Sequence, residues 1–251
     1  MNKIDRRIHY IIVMDTETCH TTDAEGNTDM THPFVYDIGW EVTDKRGTVY
    51  EKKSYIVKDI FTGEADLMKS AYYSNKIPQY LKDITDGKRV VDTYYNIRKD
   101  FLDTMARYET KTVAAHNMSF DNRATSATQK WLTKSKFRYF FPYDVELWDT
   151  MKMARSVIHK MPTYRKFCEK HEMLTASGRL PTTAEALYKF ISRNPNFKES
   201  HTGLEDVQIE RSIMFYCYRQ HRKMDKVLYG ARSFDRPTEI QNKIMKIVKN
   251  P

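Results

Sequence analysis

Apolar runs broken by polar stretches mark the first part of the chain, and helical spacing takes over later. Around residues 9–15, Ile11-Ile12-Val13-Met14 is a continuous apolar run of the kind a strand buried on both faces requires. A polar stretch from Cys19 to Pro33 lacks any period and predicts a long loop, a length at which loops are often functional. Phe34 to Val42 alternates, Asp44-Lys45-Arg46-Gly47 supplies a turn, and Thr48–Val57 alternates again, which predicts antiparallel pairing of the first three strands. Residues 60–86 have an interrupted helical pattern, with Pro78 breaking it and Gly87 ending it. From Val90 to Tyr108 the residues Val91, Tyr94, Ile97, Phe101, Leu102 and Met105 form a stripe at helical spacing. Thr112–His116 predicts a fourth strand, Phe120–Thr133 a helix and Tyr143–Trp148 a fifth strand, with helices after it. Strand hairpins first and alternating strands and helices later predict a mixed five-stranded α/β sheet with helices on both faces.

Composition narrows the class. The 251 residues are 40% hydrophobic and 30% charged, which suits one generous globular domain, expected over 1–230 with a basic tail over 231–251. In that tail Pro237 opens a possible amphipathic helix with Ile240, Ile244, Ile247 and Val248 on one face and Lys243, Lys246 and Lys249 around it. No apolar run approaches the ~20 residues of a membrane helix, so no membrane association is expected. Three widely spaced cysteines, Cys19, Cys168 and Cys217, fit neither a zinc pattern nor a disulfide framework, and a reducing cytoplasm is the expected compartment.

Charge is uneven. Residues 1–100 carry 15 basic and 17 acidic side chains, and residues 101–251 carry 27 and 16. A basic second part beside an acid-marked first strand suggests a polyanion held against a metal site. Clusters such as Phe137-Arg138-Tyr139-Phe140-Phe141 mix rings with cations, as single-strand-binding surfaces do.

Three short motifs carry the candidate chemistry. Asp15 and Glu17 follow the first apolar run two residues apart, so they face one side of the strand's end and repel unless a cation lies between them. Oxygen-only ligands favour Mg²⁺ or Mn²⁺ over zinc. A second apolar run leads into His116-Asn117-Met118-Ser119-Phe120-Asp121, with Asp121 in a first helical turn, where the helix dipole favours an anion. His116 fits a structural role better than a ligand role. In Ser200-His201-Thr202-Gly203-Leu204-Glu205-Asp206, Thr202 and Glu205 fit a capping box, with His201 before the helix and Asp206 inside its opening turn. Each motif alone has a bland explanation, a solvated turn or a helix cap; their order along one chain is much harder to produce by chance.

In that order D-x-E, N-x-x-F-D and H-x-x-x-x-D resemble the DEDDh exonucleases, the DnaQ-like family of proofreading subunits and domains with an RNase H-like fold. Tyr36-Asp37-Ile38-Gly39, Trp148-Asp149-Thr150 and Met153-Ala154-Arg155 support the match, which spans residues ~9–220. Many relatives read D-T-E-T-T-G where this chain has Thr18-Cys19-His20. The resemblance implies two-metal hydrolysis of a phosphodiester at a 3′ end, releasing nucleoside 5′-monophosphates. It implies Asp15, Glu17, Asp121 and Asp206 as ligands of two divalent cations, Mg²⁺ or Mn²⁺, with His201 as general base. Thr16, Thr18, Asn117 and Phe120 would contact substrate. Single-stranded DNA 3′ ends are the expected substrate and a polymerase or replication factor a candidate partner. An RNA-trimming exonuclease, a structure-specific endonuclease with clustered acids and a non-catalytic nucleic-acid-binding module are the alternatives.

Overall fold

The computed structural model describes residues 4–20, 32–69, 71, 74–136 and 138–230. The expected tail helix and most of the polar loop lie outside these residues. Strands β1 (Ile11–Cys19), β2 (Phe34–Thr43) and β3 (Val49–Val57) pair antiparallel in sequence, as their alternation and the turn at Asp44–Gly47 require. β1 is longer than its apolar run. Asp15 and Glu17 remain in register with Gly39 and Asp37 of β2, so the two acids lie inside the strand rather than beyond its end.

The stretch after β3 holds α1 (Lys58–Phe61), α2 (Ala65–Lys69), a 3₁₀ turn over Ser74–Lys76 and α3 (Ile77–Thr85). Pro78 does not break a helix; it stands in the first turn of α3, where its missing N–H is no loss. Nor does a single helix cover Val90–Tyr108. Val90–Asp92 forms β4, parallel to Tyr55–Val57, and α4 (Tyr94–Arg107) begins at Thr93, whose hydroxyl accepts the Asn96 N–H. Spacings of three between Val91, Tyr94 and Ile97 imitate a helix, whereas β-branched Val90 and Val91 fit an edge strand.

Next come β5 (Thr112–Ala115), α5 (Met118–Thr133), β6 (Glu146–Asp149), α6 (Thr150–Val157), α7 (Pro162–Lys170), α8 (Ala184–Ser192), α9 (Gly203–Arg219) and a three-residue β7 (Val227–Tyr229). The sheet therefore has seven strands among the described residues, not five, in the order β4-β3-β2-β1-β5-β6-β7. The two extra strands sit at the edges, where three residues are too few to show a period.

Two apolar cores cover the two faces. Ile12 and Met14 pack with Trp40, Phe101 and Met118 on the face of α4 and α5, while Ile11 and Val13 pack with Trp148, Leu187 and Ile213 on the face of α6 to α9. Among the described residues no helix is long and apolar enough to cross a membrane.

Candidate active site

β1 pairs with parallel β5 only at Ile12 and Val13. Past that point its β5-side edge is open, between one strand whose connection leads to β2 and another whose connection leads to β6. Such a switch point is where open α/β sheets leave a crevice. The α5 and α9 N-termini converge on it.

Strand alternation distributes the side chains. Asp15 and Glu17 continue the Ile11–Val13 face toward α9, and Thr16 continues the opposite face toward α5. There Thr16 Oγ1 donates to Asp121 Oδ1 at 2.8 Å, and its backbone N–H donates to the same carboxylate. Asp121 itself is buried in the first turn of α5. That helix enters through Asn117, held at φ 67°, a left-handed conformation that Asn tolerates better than most residues. The corner is pinned by β6: Asp149 accepts the Asn117 N–H at 3.1 Å and the Met151 N–H at 2.8 Å. His116 is fastened at both ring nitrogens, to the Thr150 hydroxyl and the Thr182 carbonyl, and burial lowers its pKa. It is a neutral structural histidine.

α9 brings the second set. The capping box is rearranged: Thr202 Oγ1 donates to Glu205 Oε2 at 2.7 Å instead of accepting a backbone N–H, and Asp206 Oδ2 accepts the Thr202 N–H at 3.1 Å. Asp206 Oδ1 also takes the Ser200 hydroxyl. His201, between them, has φ 52°, a costly value for a residue with a Cβ. Glu17, His201 and Asp206 each present one potential ligand atom, all within 4.8 Å of one another.

Gly39 decides how closely α9 can approach. A Cβ there would lie 2.5 Å from the Leu204 nitrogen and 2.7 Å from the Gly203 carbonyl carbon, both backbone atoms. Gly39→Ala is expected to cost about 1–3 kcal/mol, as overpacking against a rigid neighbour does. Thermal melting is the check, and a melt unchanged from the parent would mean that the α9 entrance can slide.

Several contributors were invisible in the sequence. Arg89, buried beside β4, donates to Asp37 Oδ2 at 3.1 Å, Ser54 Oγ at 3.0 Å and Glu205 Oε2 at 2.7 Å, while Asp37 also accepts the Gly203 N–H at 2.9 Å. The guanidinium thus ties β2 to the start of α9. Glu199 Oε2 lies 3.9 Å from His201 Nδ1, and the Glu199 N–H is held by Glu185. Glu210, one turn after Asp206, is buried with Oε2 lacking a hydrogen-bond partner, and its carboxylate takes the His116 backbone N–H. Periodicity on α9 would have hinted at Glu210, since Asp206 and Glu210 share a face; nothing in the local pattern marks Arg89.

Electrostatics explain what this crowding needs. Burial first, then the charges of Glu210, Asp121, Glu17 and Asp206, lift the Asp15 pKa well above the usual range. Burial and the nearby Asp206 push Glu17 up to about 9. Asp121 and Asp206 are pushed up to about 7 by burial, against the hydrogen bonds that Thr16 gives one and Ser200 and Thr202 give the other. Lys76 is a cation at the rim, and its charge acts on Glu17, Asp206, Glu199 and His201. A cluster of oxygen donors that cannot all ionise by themselves is chemically suited to hard divalent cations.

Of the residues expected at substrate, Thr16 and Thr18 are buried, and Thr16 orients Asp121 rather than facing outward. Asn117 is exposed, and Phe120 is half-buried with the Arg123 guanidinium 5.4 Å from its ring centre.

No protein-family profile and no curated protein sequence matches the chain. Solved structures do. The nuclease domain of 3′hExo, described as a DEDDh family member bound to rAMP, superposes with a TM-score of 0.56 at 13% identity, over 89% of this chain and 100% of that one. A 3′-exonuclease described in 3′-end-specific recognition of a histone mRNA stem-loop gives 0.56 at 13%, covering 94% and 75%. Cell-death related nuclease 4 gives 0.50 at 13%, covering 87% and 67%. The chain has the RNase H-like α/β fold of the DEDDh-type exonucleases.

Proposed function

We propose, from this fold, that the chain is a metal-dependent 3′–5′ exonuclease that hydrolyses the terminal phosphodiester of a single strand and releases nucleoside 5′-monophosphates. One observation carries the reading: carboxylates from β1, α5 and α9 converge where burial and mutual repulsion keep them from ionising together. Asp15, Glu17, Asp121 and Asp206 are the residues that would hold the cations, and oxygen donors alone favour Mg²⁺ or Mn²⁺. Divalent cations bound there would stabilise charge on the scissile phosphate and lower the pKa of the attacking water.

The remaining chemistry belongs to side chains. His201 stands beside Glu17 and Asp206, placed to take the proton of an attacking water. Burial, then the charge of Lys76, lowers its pKa below the usual value, so the imidazole is neutral and able to accept at pH 7. Glu199 on the Nδ1 side can receive the ring's other N–H and support the imidazolium that forms. Thr16 keeps Asp121 aimed inward. Lys76 contributes positive charge beside Glu17, His201 and Asp206.

DNA is the substrate proposed first. The RNA ligands named for two structural neighbours make a matched RNA strand the necessary comparison.

Parallel digests of 3′-labelled and 5′-labelled oligonucleotides, with Mg²⁺, with Mn²⁺ and with excess chelator, test the proposal. Immediate release of labelled mononucleotide from the 3′ end only, lost in chelator, is expected. Cleavage of a circular single strand would point to an endonuclease instead, and strand binding without hydrolysis under all conditions to a non-catalytic module.

His201→Gln is expected to lower the rate on the order of 10²-fold at neutral pH. Since burial and Lys76 hold the parent histidine below its ordinary value of about 6.5, at saturating metal the parent profile should carry an acid limb beneath that value. The variant should lose that acid limb, and a profile identical in shape to the parent's would remove His201 from the role.

A further inference from the structure

Away from the carboxylates, the C-terminal half of α5, the exposed side of α4 and the segment before β6 enclose an open groove of about 470 Å³. Its walls carry Arg98, Lys99 and Arg138 together with Tyr95, Tyr139 and Tyr143, and no carboxylate is among the residues lining it. The rings are unusually open to solvent: Tyr95 is 76% exposed, Tyr139 42% and Tyr143 47%. Most described aromatic side chains are buried in the two cores or packed against them, so exposed rings gathered in one groove need a reason. Lys130 Nζ adds a cation 4.5 Å from the Tyr139 ring centre.

Among the described residues no carboxylate lines the groove and none pairs with Arg98, Lys99 or Arg138 in an ion pair. Arg98 is half-buried and anchored by its Nε, which donates to the Phe140 carbonyl at 2.8 Å. Burial disfavours its protonated form, and the charge of neighbouring Arg138 acts in the same direction. Two guanidiniums held near each other without an internal counterion repel, and phosphates are the natural partners for both. Exposed phenol rings beside phosphate-binding cations match the single-strand pattern, in which bases stack on aromatic faces and cations track the backbone. A duplex would keep its bases stacked on each other and leave these rings idle.

The groove adjoins a second depression along α5. Tyr139, Phe141, Pro142 and Tyr143 line both, and the second, of about 350 Å³, reaches Asn122, the residue after Asp121. Gln129, which lines the first groove, lies eight residues beyond Asp121 on α5, about 12 Å along the helix axis. A single strand held at both places would span several nucleotides.

We infer that the Arg98–Lys99–Arg138 groove with its tyrosines is a second, non-catalytic binding site for single-stranded nucleic acid, which holds the strand several nucleotides upstream of the 3′ end. The inference rests on the exonuclease reading for the identity of the occupant. It is nevertheless tested by binding alone.

The probe is a fluorescein-labelled 20-nucleotide single strand, titrated in excess chelator so that no turnover occurs, against the full chain and the variants Lys99→Glu/Arg138→Glu and Tyr139→Ala. Arg98 is left intact because of its bond to Phe140. The double charge variant is expected to bind at least 10-fold more weakly near 0.1 M salt. Its slope of log affinity against log salt should be shallower by about 1.4, two phosphate contacts at ~0.7 each. Tyr139→Ala should bind roughly 5-fold more weakly or worse, with the slope unchanged. Hydrolysis of the p-nitrophenyl ester of thymidine 5′-monophosphate, too short to reach the groove, should remain within twofold of the parent in both variants. Matched melting curves establish that the variants are folded.

Parent-like affinity and slope in the folded variants would overturn the inference. So would loss of binding to an acidic peptide probe, such as polyglutamate, with oligonucleotide binding intact, which would make the groove a protein-docking site. If the parent chain hydrolysed nothing but the variants still lost strand affinity, the groove would stand and the exonuclease reading would fall. The reverse pattern would leave the exonuclease and remove the groove.

Discussion

Asp15→Asn is expected to abolish hydrolysis and, in chelator, to make the protein more stable than its parent. The first effect follows from the position of Asp15 in the middle of the carboxylate cluster, and a loss of roughly 10³-fold or more is expected for a central charged group of such a site. The second follows from the same crowding. Asp15, Glu17, Asp121 and Asp206 have folded-state pKa values above those of an unfolded chain, with Glu17 at about 9 and Asp121 and Asp206 at about 7. Between about pH 4 and pH 9 the folded metal-free protein therefore binds more protons than the unfolded chain, and its stability declines as pH rises through that window. An amide in place of Asp15 removes a carboxyl whose ionisation the fold opposes and the unfolded chain does not. A gain of about 1–2 kcal/mol at pH 8 is expected, which raises Tm by about 2–4 °C for each kcal/mol. Added Mg²⁺ should stabilise the parent increasingly toward high pH, as carboxylates become free to bind it, and the variant much less. Melting curves at pH 5, 7 and 9, with chelator and with Mg²⁺, read all of this. A variant less stable than the parent in chelator at pH 8 would contradict the electrostatic account, and undiminished turnover would contradict the metal assignment.

Arg89→Met is expected to be the most destabilising single change outside the two apolar cores. Arg89 is 2% exposed at its side chain and Asp37 0%. Burial pushes the Asp37 pKa up and Arg89 opposes it, so removing the guanidinium strands a carboxylate in the interior. Breaking a buried ion pair from one side costs about 3–5 kcal/mol, equivalent here to a fall in Tm on the order of 10 °C. The pairing of Arg89 with Glu205, whose side chain is half exposed, adds little of this. Arg89→Met with Asp37→Asn should recover part of the loss, because the amide no longer brings an unpaired charge. A single variant within about 1 kcal/mol of the parent in urea denaturation, or a double variant worse than the single, would show that the tie between β2 and α9 is not made by this pair.

The central strands and the order of chemical motifs were legible because each has a signature shorter than its context. Ile11 to Met14 is apolar throughout, so it could only be a strand buried on both faces, and the two-residue spacing of Asp15 and Glu17 then fixed their common side. Asp121 and Asp206 were legible as first-turn acids. Glu199 and Arg89 were not, because what makes them notable is burial beside distant residues, which leaves no trace in a local pattern, and Glu210 was hinted at only by sharing a helical face with Asp206. The same holds for β4 and β7, whose three residues pair only because β3 and β6 offer edges. Thr16 shows a finer limit. The resemblance implied a substrate contact for it, and the hydrogen bond to Asp121, 105 positions away, needed the fold.

The contact between Gly39 and the start of α9 is made by main chain on main chain. Such a joint makes few demands on side chains: a glycine on one strand, Gly203 opposite it and the Asp37–Arg89 clamp beside them suffice to set where His201 and Asp206 stand. Substitutions on the outer faces of the helices and in the loops would then leave His201 and Asp206 in place. The fold shared with the 3′hExo nuclease domain persists at 13% identity, so most side chains of this architecture are free to differ.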